Sequence, residues 1–248
     1  MEHPEERAAT STVPRTYPVV LAPPPSRGGA RKPILALVGP PGAGKSTAAE
    51  CFARRGGAVL DGDALGHEAL RQAPIREAVI QRWGTGIVRP DGSIDRRALG
   101  RIIFADPTQR NALEQLVFPY IERRLREQIE QAQQDPRCRF IVIDAAVLLE
   151  AGWNQAVDRI VYVDAPAPLR HSRLSQRSGW SPAEIAEREA AQWPAERKRA
   201  AAHAILYNAG DPGGLQQQVD RLLHIWGLDD RGLDDAGQVF TGRERISS

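Results

Sequence analysis

The residues with the clearest chemical signature in this sequence are Gly39 to Ser46, which read GPPGAGKS. They fit a pattern of two glycines separated by four residues, followed by lysine and serine. Glycines in such a loop let the backbone turn tightly, so successive N–H groups can point inward at phosphate oxygens. Lys45 would reach the β- and γ-phosphates of a nucleotide, and the Ser46 hydroxyl would hold Mg²⁺. The spacing therefore predicts a nucleotide-phosphate site.

The segments on either side of this loop are the elements that such a site needs. Ile34 to Val38 form an apolar run typical of a buried strand. A helix-prone segment follows Ser46 and is predicted to stop at Gly56–Gly57. That helix would add the positive end of its dipole. Only three of the 33 basic residues are lysines, yet one of them occupies the lysine position of the motif. An ordinary turn between a strand and a helix is the alternative, and these features disfavour it.

Two carboxylates follow apolar runs that predict further strands. Asp63 comes after Ala58 to Leu60, and Asp144 ends the run Phe140 to Asp144. The carboxyl ends of parallel strands face the ligand crevice of an open α/β sheet. Asp144 is therefore a candidate Mg²⁺ ligand together with Ser46, although it could simply end a strand. Asp63 is a candidate general base, and a helix-capping role is its alternative.

Residues 167–200 are predicted to be helical and are rich in arginine. Arg173 and Arg177 lie four residues apart, on one helix face, so both could reach a transferring phosphoryl group. These two arginines join Lys45 and Asp63 as the predicted catalytic residues. A solvated basic face is the alternative for each arginine.

The remaining pattern predicts an α/β fold with a doubly wound, five-stranded parallel sheet. Arg159 to Asp164 and Ala204 to Tyr207 give the fourth and fifth strands. The predicted core comprises residues 32–63, 138–166 and 202–228. A helical acceptor insertion (residues 64–137) and a helical lid segment (residues 167–201) interrupt it. Within the insertion, Asp95 is predicted to cap one helix and Pro119 to begin another. Residues 1–31 are predicted to be a disordered leader and 229–248 a flexible tail.

Composition excludes several function classes. The net charge of +2 gives no strong field for nucleic acid or an anionic membrane. No run approaches the ~18 apolar residues that a membrane helix needs. Cys51 and Cys138 form no metal-binding spacing, so a reducing cytoplasm is expected. Small molecules are the expected partners.

The phosphate-binding loop alone does not identify the class of nucleotide enzyme. A GTPase needs a guanine-reading N-K-x-D, and no asparagine in this sequence is followed by lysine. A small-molecule kinase fits better, because its sheet binds ATP while an insertion holds the acceptor and an arginine-rich lid covers the phosphates. Another metabolite kinase stays open at this point, as does a regulatory protein that binds a nucleotide without transferring phosphate.

Several stretches resemble the dephospho-CoA kinase family, over residues 35 to about 223. Residues 61–67, DGDALGH, are similar to the family's D-x-D-x-x-x-H. Residues 91–99, DGSIDRRAL, resemble D-G-x-I-D-R-x-x-L, and residues 144–150, DAAVLLE, resemble D-x-P-L-L-F-E. Further positions typical of the family hold Arg173, Arg177, Arg188, Gln192, Lys198 and Asn208.

The resemblance implies ATP-dependent phosphorylation of the ribose 3′-hydroxyl of dephospho-CoA, with Mg²⁺. It implies that His67, Arg96 and Glu150 contact the acceptor, although a structural histidine is the alternative for His67 and the role of Glu150 is open. The residues implied for ATP binding are Gly39, Gly42, Ala43, Gly44, Lys45, Ser46, Thr47 and Asn208.

The sequence also departs from the family pattern. Phe118 replaces a usual histidine before Pro119, which bears on acceptor contacts more than on ATP binding. The other departures are Pro40–Pro41, Ala146 and His203.

Overall fold

A five-stranded parallel sheet forms the centre of the computed structural model, which describes residues 31–209 and 211–229. The strand order is β2-β3-β1-β4-β5. The strands are β1 (Ile34–Val38), β2 (Gly57–Asp61), β3 (Phe140–Asp144), β4 (Arg159–Asp164) and β5 (Ala204–Tyr207). The predicted leader and tail lie outside the described residues, apart from residues 31 and 229.

Helices connect the strands and cover both faces of the sheet. They are α1 (Lys45–Ala53), α2 (Gly62–Ala69), α3 (Ala73–Trp83), α4 (Arg96–Ala105), α5 (Pro107–Gln134), α6 (Ala167–Ser178), α7 (Pro182–Ala190), α8 (Ala195–Ala200) and α9 (Pro212–Ile225). None of the helices in the described part of the chain combines the length and the apolar character of a membrane-spanning segment.

Each face of the sheet has its own buried core, because side chains alternate along a strand. Leu35 and Leu37 of β1 pack with α1 and α9 on one face. Ala36 and Val38 of the same strand pack with α2 and α5 on the other. Helices on both sides of a parallel sheet define the doubly wound architecture, so the predicted fold class is confirmed.

Strand register brings the chemically interesting residues to one edge. In the ladder, Asp144 of β3 lies opposite Leu37 of β1 and also opposite Asp61 of β2. The phosphate-binding loop begins at Gly39, directly after β1. The carboxyl ends of β1, β2 and β3 therefore meet, and the site is assembled there.

The acceptor insertion has a small core of its own. Val79, Ile87, Ile94 and Leu99 are buried against one another between α3 and α4. Asp95 caps α4, and its carboxylate accepts hydrogen bonds from the N–H groups of Arg97 and Ala98 at 2.9 and 3.2 Å. The segment from α3 to α4 thus has its own buried core. The boundaries of the whole insertion, residues 64–137, stay a prediction.

Two predicted helix boundaries are wrong. Pro119 lies inside α5, which begins at Pro107 with Asp106 as its cap. Tertiary packing of Val117, Ile121 and Leu125 overrides the hydrogen bond that an interior proline removes. The helix after the loop was expected to stop at Gly56–Gly57, whereas α1 ends at Ala53 and Gly57 begins β2.

Candidate active site

The phosphate-binding loop, residues 39–46, packs too closely against its surroundings for side chains at its three glycines, and the approach is closest at Gly39 and Gly44. A Cβ on Gly39 (φ 148°) would lie 2.3 Å from the carbonyl oxygen of Val163. One on Gly44 (φ 90°) would lie 2.1 Å from Nδ2 of Asn208. Both positions need the positive φ that glycine adopts without cost. The loop conformation therefore depends on glycine at these two residues.

Asn208 and Arg173 hold this loop from outside through its carbonyl groups. The buried Asn208 side chain donates from Nδ2 to the Ala43 carbonyl at 3.0 Å. Arg173 donates from Nη1 to the Gly42 carbonyl and from Nη2 to Oδ1 of Asn208, both at 3.3 Å. The predicted ATP-binding asparagine and one predicted catalytic arginine thus share a hydrogen-bonded network with the loop.

Lys45 lies among the backbone carbonyls of the loop and close to two carboxylates. Its Nζ donates to the carbonyls of Gly39 at 3.1 Å and Pro40 at 3.4 Å. Burial lowers the pKa of Lys45, while the negative charges of Asp144 and Asp63 oppose that change. The structure therefore brings the predicted lysine and both predicted carboxylates into one electrostatic cluster.

Asp63 is free of the capping role that was its alternative, because Asp61 caps α2 instead. Oδ1 of Asp61 accepts a hydrogen bond from the N–H of Ala64 at 2.8 Å. Asp63 lies in the first turn of the helix and is accessible to solvent. The protein atoms around its carboxyl nevertheless raise the pKa of Asp63 by desolvation, and the Lys45 ammonium partly offsets this. A raised pKa suits a carboxylate that must accept a proton.

Ser46 and Asp144 form the predicted oxygen pair for a metal ion. The Ser46 hydroxyl donates to Oδ2 of Asp144 at 3.1 Å. Desolvation raises the pKa of Asp144, opposed first by the Lys45 ammonium and then by the Ser46 hydrogen bond. A carboxylate beside a hydroxyl is a donor set that a hard divalent cation prefers. The residues present therefore fit Mg²⁺.

His67 and Arg96 come from different helices yet lie within electrostatic reach of each other. His67 is in the last turn of α2, and Arg96 begins α4. Burial lowers the pKa of His67, the positive charge of Arg96 lowers it further, and Asp63 opposes both. His67 is therefore within electrostatic reach of both Arg96 and the candidate base Asp63.

Arg177 differs from Arg173 in its surroundings. It lies one helical turn further along α6 and is exposed. Its charge contributes to lowering the pKa of Lys45, so its guanidinium is within electrostatic reach of the loop lysine. Within residues 31–209 and 211–229, no hydrogen bond or ion pair engages Arg177. It is therefore available for a substrate phosphate.

Glu150 joins the segment after β3 to the lid segment. Its Oε1 lies 2.8 Å from Nζ of Lys198 and accepts a hydrogen bond from the N–H of Trp193, also at 2.8 Å. Lys198 is only 1% exposed and donates further bonds to Ala146 and Gln192 at 2.9 Å. Desolvation lowers the pKa of Lys198, opposed by Glu150. Acceptor contact by Glu150 stays a prediction.

Sequence reasoning missed this buried lysine network as a structural unit. One available signal was that Lys198 is a rare lysine in a chain whose basic residues are nearly all arginine. The sequence also predicted no packing partner for Phe118. Its ring packs against Trp153 with the centroids 5.3 Å apart, which ties α5 to the segment after β3.

Comparison with known proteins identifies the family. The family model described as dephospho-CoA kinase matches residues 33–212. A dephospho-CoA kinase of Symbiobacterium thermophilum is 40% identical over 188 residues, which are 75% of this chain and 78% of that protein. A dephospho-CoA kinase of Methylococcus capsulatus is 37% identical over 196 residues, 79% of this chain and 97% of that protein.

A solved structure is similar to this chain in fold and in sequence. The crystal structure of TT1252 from Thermus thermophilus is similar with a TM-score of 0.65 and 34% identity. The similarity covers 78% of this chain and 97% of that chain. A family model that matches most of the described core, together with relatives aligned over most of their length, shows that the chain belongs to the dephospho-CoA kinase family.

Proposed function

We propose that this chain transfers the γ-phosphate of ATP to the ribose 3′-hydroxyl of dephospho-CoA, giving CoA and ADP in the last step of CoA biosynthesis. Family membership supports the kinase activity and ATP as its phosphate donor. The observation that carries the residue assignments is the cluster of Lys45, Asp63 and Asp144 where β1, β2 and β3 end. It combines a phosphate-binding cation, a proton acceptor and a metal-binding carboxylate.

The phosphate side of the reaction falls to the loop, Lys45 and the lid segment. The loop N–H groups and the start of α1 bind the phosphates of ATP. Lys45 exchanges its carbonyl partners for the phosphate oxygens and stabilises their charge during transfer. Arg177 supplies a second positive charge from the lid segment, and Arg173 keeps the loop in place.

Asp63 is the proposed general base. As the 3′-hydroxyl oxygen bonds to the γ-phosphorus, its proton passes to the Asp63 carboxylate, and the bond to the β-phosphate oxygen breaks to release ADP. Desolvation raises the pKa of Asp63, which strengthens the carboxylate as a base, while the positive charge of Lys45 opposes that rise.

Mg²⁺ would be held by the Ser46 hydroxyl and the Asp144 carboxylate. When bound, it neutralises charge on the phosphates of ATP. The chain contributes a hydroxyl and a carboxylate that are already paired at 3.1 Å, beside the lysine that binds the same phosphates.

His67 and Arg96 orient the acceptor. Because its pKa is lowered, His67 is neutral at physiological pH, and its ring can donate or accept a hydrogen bond with the acceptor. Arg96 is exposed and suits the pyrophosphate of dephospho-CoA. Glu150 fixes the lid segment through Lys198. We further propose that the chain acts on small molecules in the cytoplasm. Its net charge of +2 gives no strong field that would attract nucleic acid.

The proposal is tested with ATP labelled in its γ-phosphate and a panel of acceptors. Label should pass to dephospho-CoA far faster than to AMP, shikimate or a nucleoside. CoA is the matched control, because its 3′-hydroxyl already carries phosphate and it should accept none. Transfer to another acceptor at a much higher rate than to dephospho-CoA would overturn the assignment, and Phe118 would be the first residue to examine.

A further inference from the structure

Arg188 is buried between two segments and takes no part in the proposed chemistry. It lies in α7 and is 9% exposed. Its guanidinium carbon is 4.4 Å from the ring centroid of Phe104 and 4.0 Å from that of Trp180. Phe104 belongs to α4 of the acceptor insertion, whereas Trp180 belongs to the lid segment. One cation therefore contacts aromatic rings of both units.

The groups around this guanidinium stabilise a buried positive charge. Nη1 donates to the carbonyl of Glu184, within α7, at 3.2 Å. Burial lowers the pKa of Arg188, and the charges of Glu184 and Glu187 oppose this, but an arginine stays protonated in a protein. Attraction between a cation and an aromatic face is strongest when water is excluded. The two rings thus replace the water that burial removes.

Helix α4 presents a matching surface. Gly100, one turn before Phe104, is buried, and a Cβ there would lie 3.3 Å from Nη2 of Arg188. That distance is shorter than an ordinary van der Waals contact, so glycine at this position lets the guanidinium lie close to α4. One turn earlier, Arg97 forms an ion pair with Glu184 at 4.0 Å. Residues 97, 100 and 104 therefore form one face of α4 that meets α7.

We propose that Arg188 is a positioning residue that docks the lid segment onto α4 and thereby couples the acceptor site to the phosphate site. The proposal rests on the proposed function, because α4 begins with the acceptor residue Arg96 while the lid segment carries Arg173 and Arg177. Acceptor contacts bias the position of α4, and phosphate contacts bias the position of the lid segment. Docking joins the two, so each substrate raises the affinity for the other, by equal factors.

The chemistry of arginine is needed for this contact. The guanidinium is planar and stacks on aromatic rings, whereas the lysine ammonium is a compact, strongly hydrated charge. Arg188→Lys keeps the charge and loses the stacking. Phe104→Leu removes the ring on α4 alone and keeps that site apolar. Both variants should weaken docking without touching a phosphate contact.

The experiment measures the affinity for dephospho-CoA with and without a non-hydrolysable ATP analogue. In the wild type the analogue should tighten dephospho-CoA binding by at least about fivefold. Arg188→Lys, Arg188→Ala and Phe104→Leu should reduce this factor towards one. They should also lower kcat by ~10-fold or more, since misplacement of about 1 Å far from the chemistry can cost ~10²-fold. Affinity for the analogue alone should change little.

Arg82→Ala is the matched control. The Arg82 guanidinium lies 5.4 Å from the ring centroid of Trp83, its neighbour in α3. This is also a contact between an arginine and an aromatic ring, but it lies within one helix and does not connect the lid segment to the acceptor insertion. The control should keep the wild-type coupling factor. If the Arg188 and Phe104 variants keep it as well, the proposal is overturned.

Hydrogen exchange tests docking without any substrate. Amides of both α4 and α7 should exchange faster in the Arg188 variants than in the wild type or Arg82→Ala. Unchanged exchange in both helices would also overturn the proposal. If the wild type does not phosphorylate dephospho-CoA, the proposed function fails, whereas the exchange result still decides whether Arg188 docks the two units.

Discussion

The phosphate-binding loop is held mainly through its own backbone carbonyls, whereas contacts between side chains hold the acceptor side. On the phosphate side, backbone carbonyls of Gly39 and Gly42 accept hydrogen bonds from Lys45 and Arg173. On the acceptor side, side chains contact side chains across long stretches of sequence. Tyr120 of α5, for example, donates to a carboxylate oxygen of Glu68 in α2 at 2.5 Å.

This difference indicates which amino-acid substitutions each side of the site can tolerate. A loop specified by its backbone tolerates few residue types, because a Cβ at Gly39 would collide with the chain itself. Contacts between side chains can be replaced in pairs without moving the backbone. The departure at Phe118 fits this view, since its ring finds Trp153 as a partner. Pro40 and Pro41 vary the loop only at positions that do not require glycine.

The largest effect is expected on the phosphate side, from Lys45→Ala. Loss of this charge should reduce ATP turnover by ~10³-fold or more, comparable with removal of an arginine finger. The fold should persist, because burial disfavours the charged lysine in the free protein. Steady-state turnover and a thermal melt measure the two parts of this prediction.

Lys32→Ala is its control, because Nζ of Lys32 donates to the carbonyls of Ala132 and Asp135, outside the phosphate-binding loop. It should turn over at close to the wild-type rate. Turnover by Lys45→Ala at that same rate would show that the loop does not act through its lysine.

Asp63→Asn should break the chemistry while leaving the acceptor side assembled. General-base catalysis typically contributes ~10²–10⁴-fold, so kcat should fall by that amount with KM for dephospho-CoA largely unchanged. In the wild type, kcat should rise with pH through the pKa of Asp63, which desolvation holds above the usual 3.8. The variant should lose this rise.

Asp61→Asn is the matched control for this base. Asp61 caps α2, and asparagine caps a helix about as well as aspartate, so kcat should stay close to that of the wild type. If Asp63→Asn retains most of its kcat, the proton is accepted elsewhere. A rise in KM alone would make Asp63 a binding residue.

The same contrast explains what could be predicted from the sequence. The bounds of β1, the loop motif and the cap at Asp95 depend on neighbours within a few residues, and the structure agrees with them. The alternation of predicted strands with predicted helices along the chain indicated the doubly wound sheet, and it too is read from local patterns. Local patterns are sufficient where the backbone alone decides the structure.

Contacts between distant residues could not be predicted in this way. The start of α5 was misplaced because Pro119 has the local character of a helix start, while packing of the whole helix decides otherwise. Local preference alone could not separate Asp61 from Asp63 as the cap of α2. Nothing local indicates that Arg188 meets Phe104, since their contact depends on how the lid segment packs on α4.

A smaller effect separates the two lid arginines. Arg177→Ala should lower kcat by about 10²-fold with little change in KM for ATP, as for loss of one transition-state donor. Arg173→Ala should also raise KM for ATP, because Arg173 bonds to Gly42 and Asn208 of the loop network. Initial rates over a range of ATP concentrations measure both constants. Identical profiles for the two variants would contradict this division of roles.

The smallest effect concerns stability, again at Asp63. The pKa of this carboxyl is raised in the folded protein, mainly by desolvation. Between the usual 3.8 and the higher folded value, the folded state therefore binds more protons than the unfolded chain, and stability falls as pH rises. That loss is complete once the pH exceeds the folded pKa of Asp63. Asp63→Asn removes it and should raise Tm by about 1 °C, a small change because the side chain is open to solvent.

The gain should shrink as the pH is lowered through this window, since the protonated wild-type carboxyl carries no charge to desolvate. Asp95→Asn is the opposite case, because hydrogen bonds from the N–H groups of Ala98 and Arg97 lower the pKa of Asp95. It should not raise Tm at pH 7. Thermal melts of both variants at several pH values measure the contrast. A Tm for Asp63→Asn at or below that of the wild type at pH 7 would mean that the charge is stabilised where it lies, and that the catalytic carboxylate costs the fold nothing.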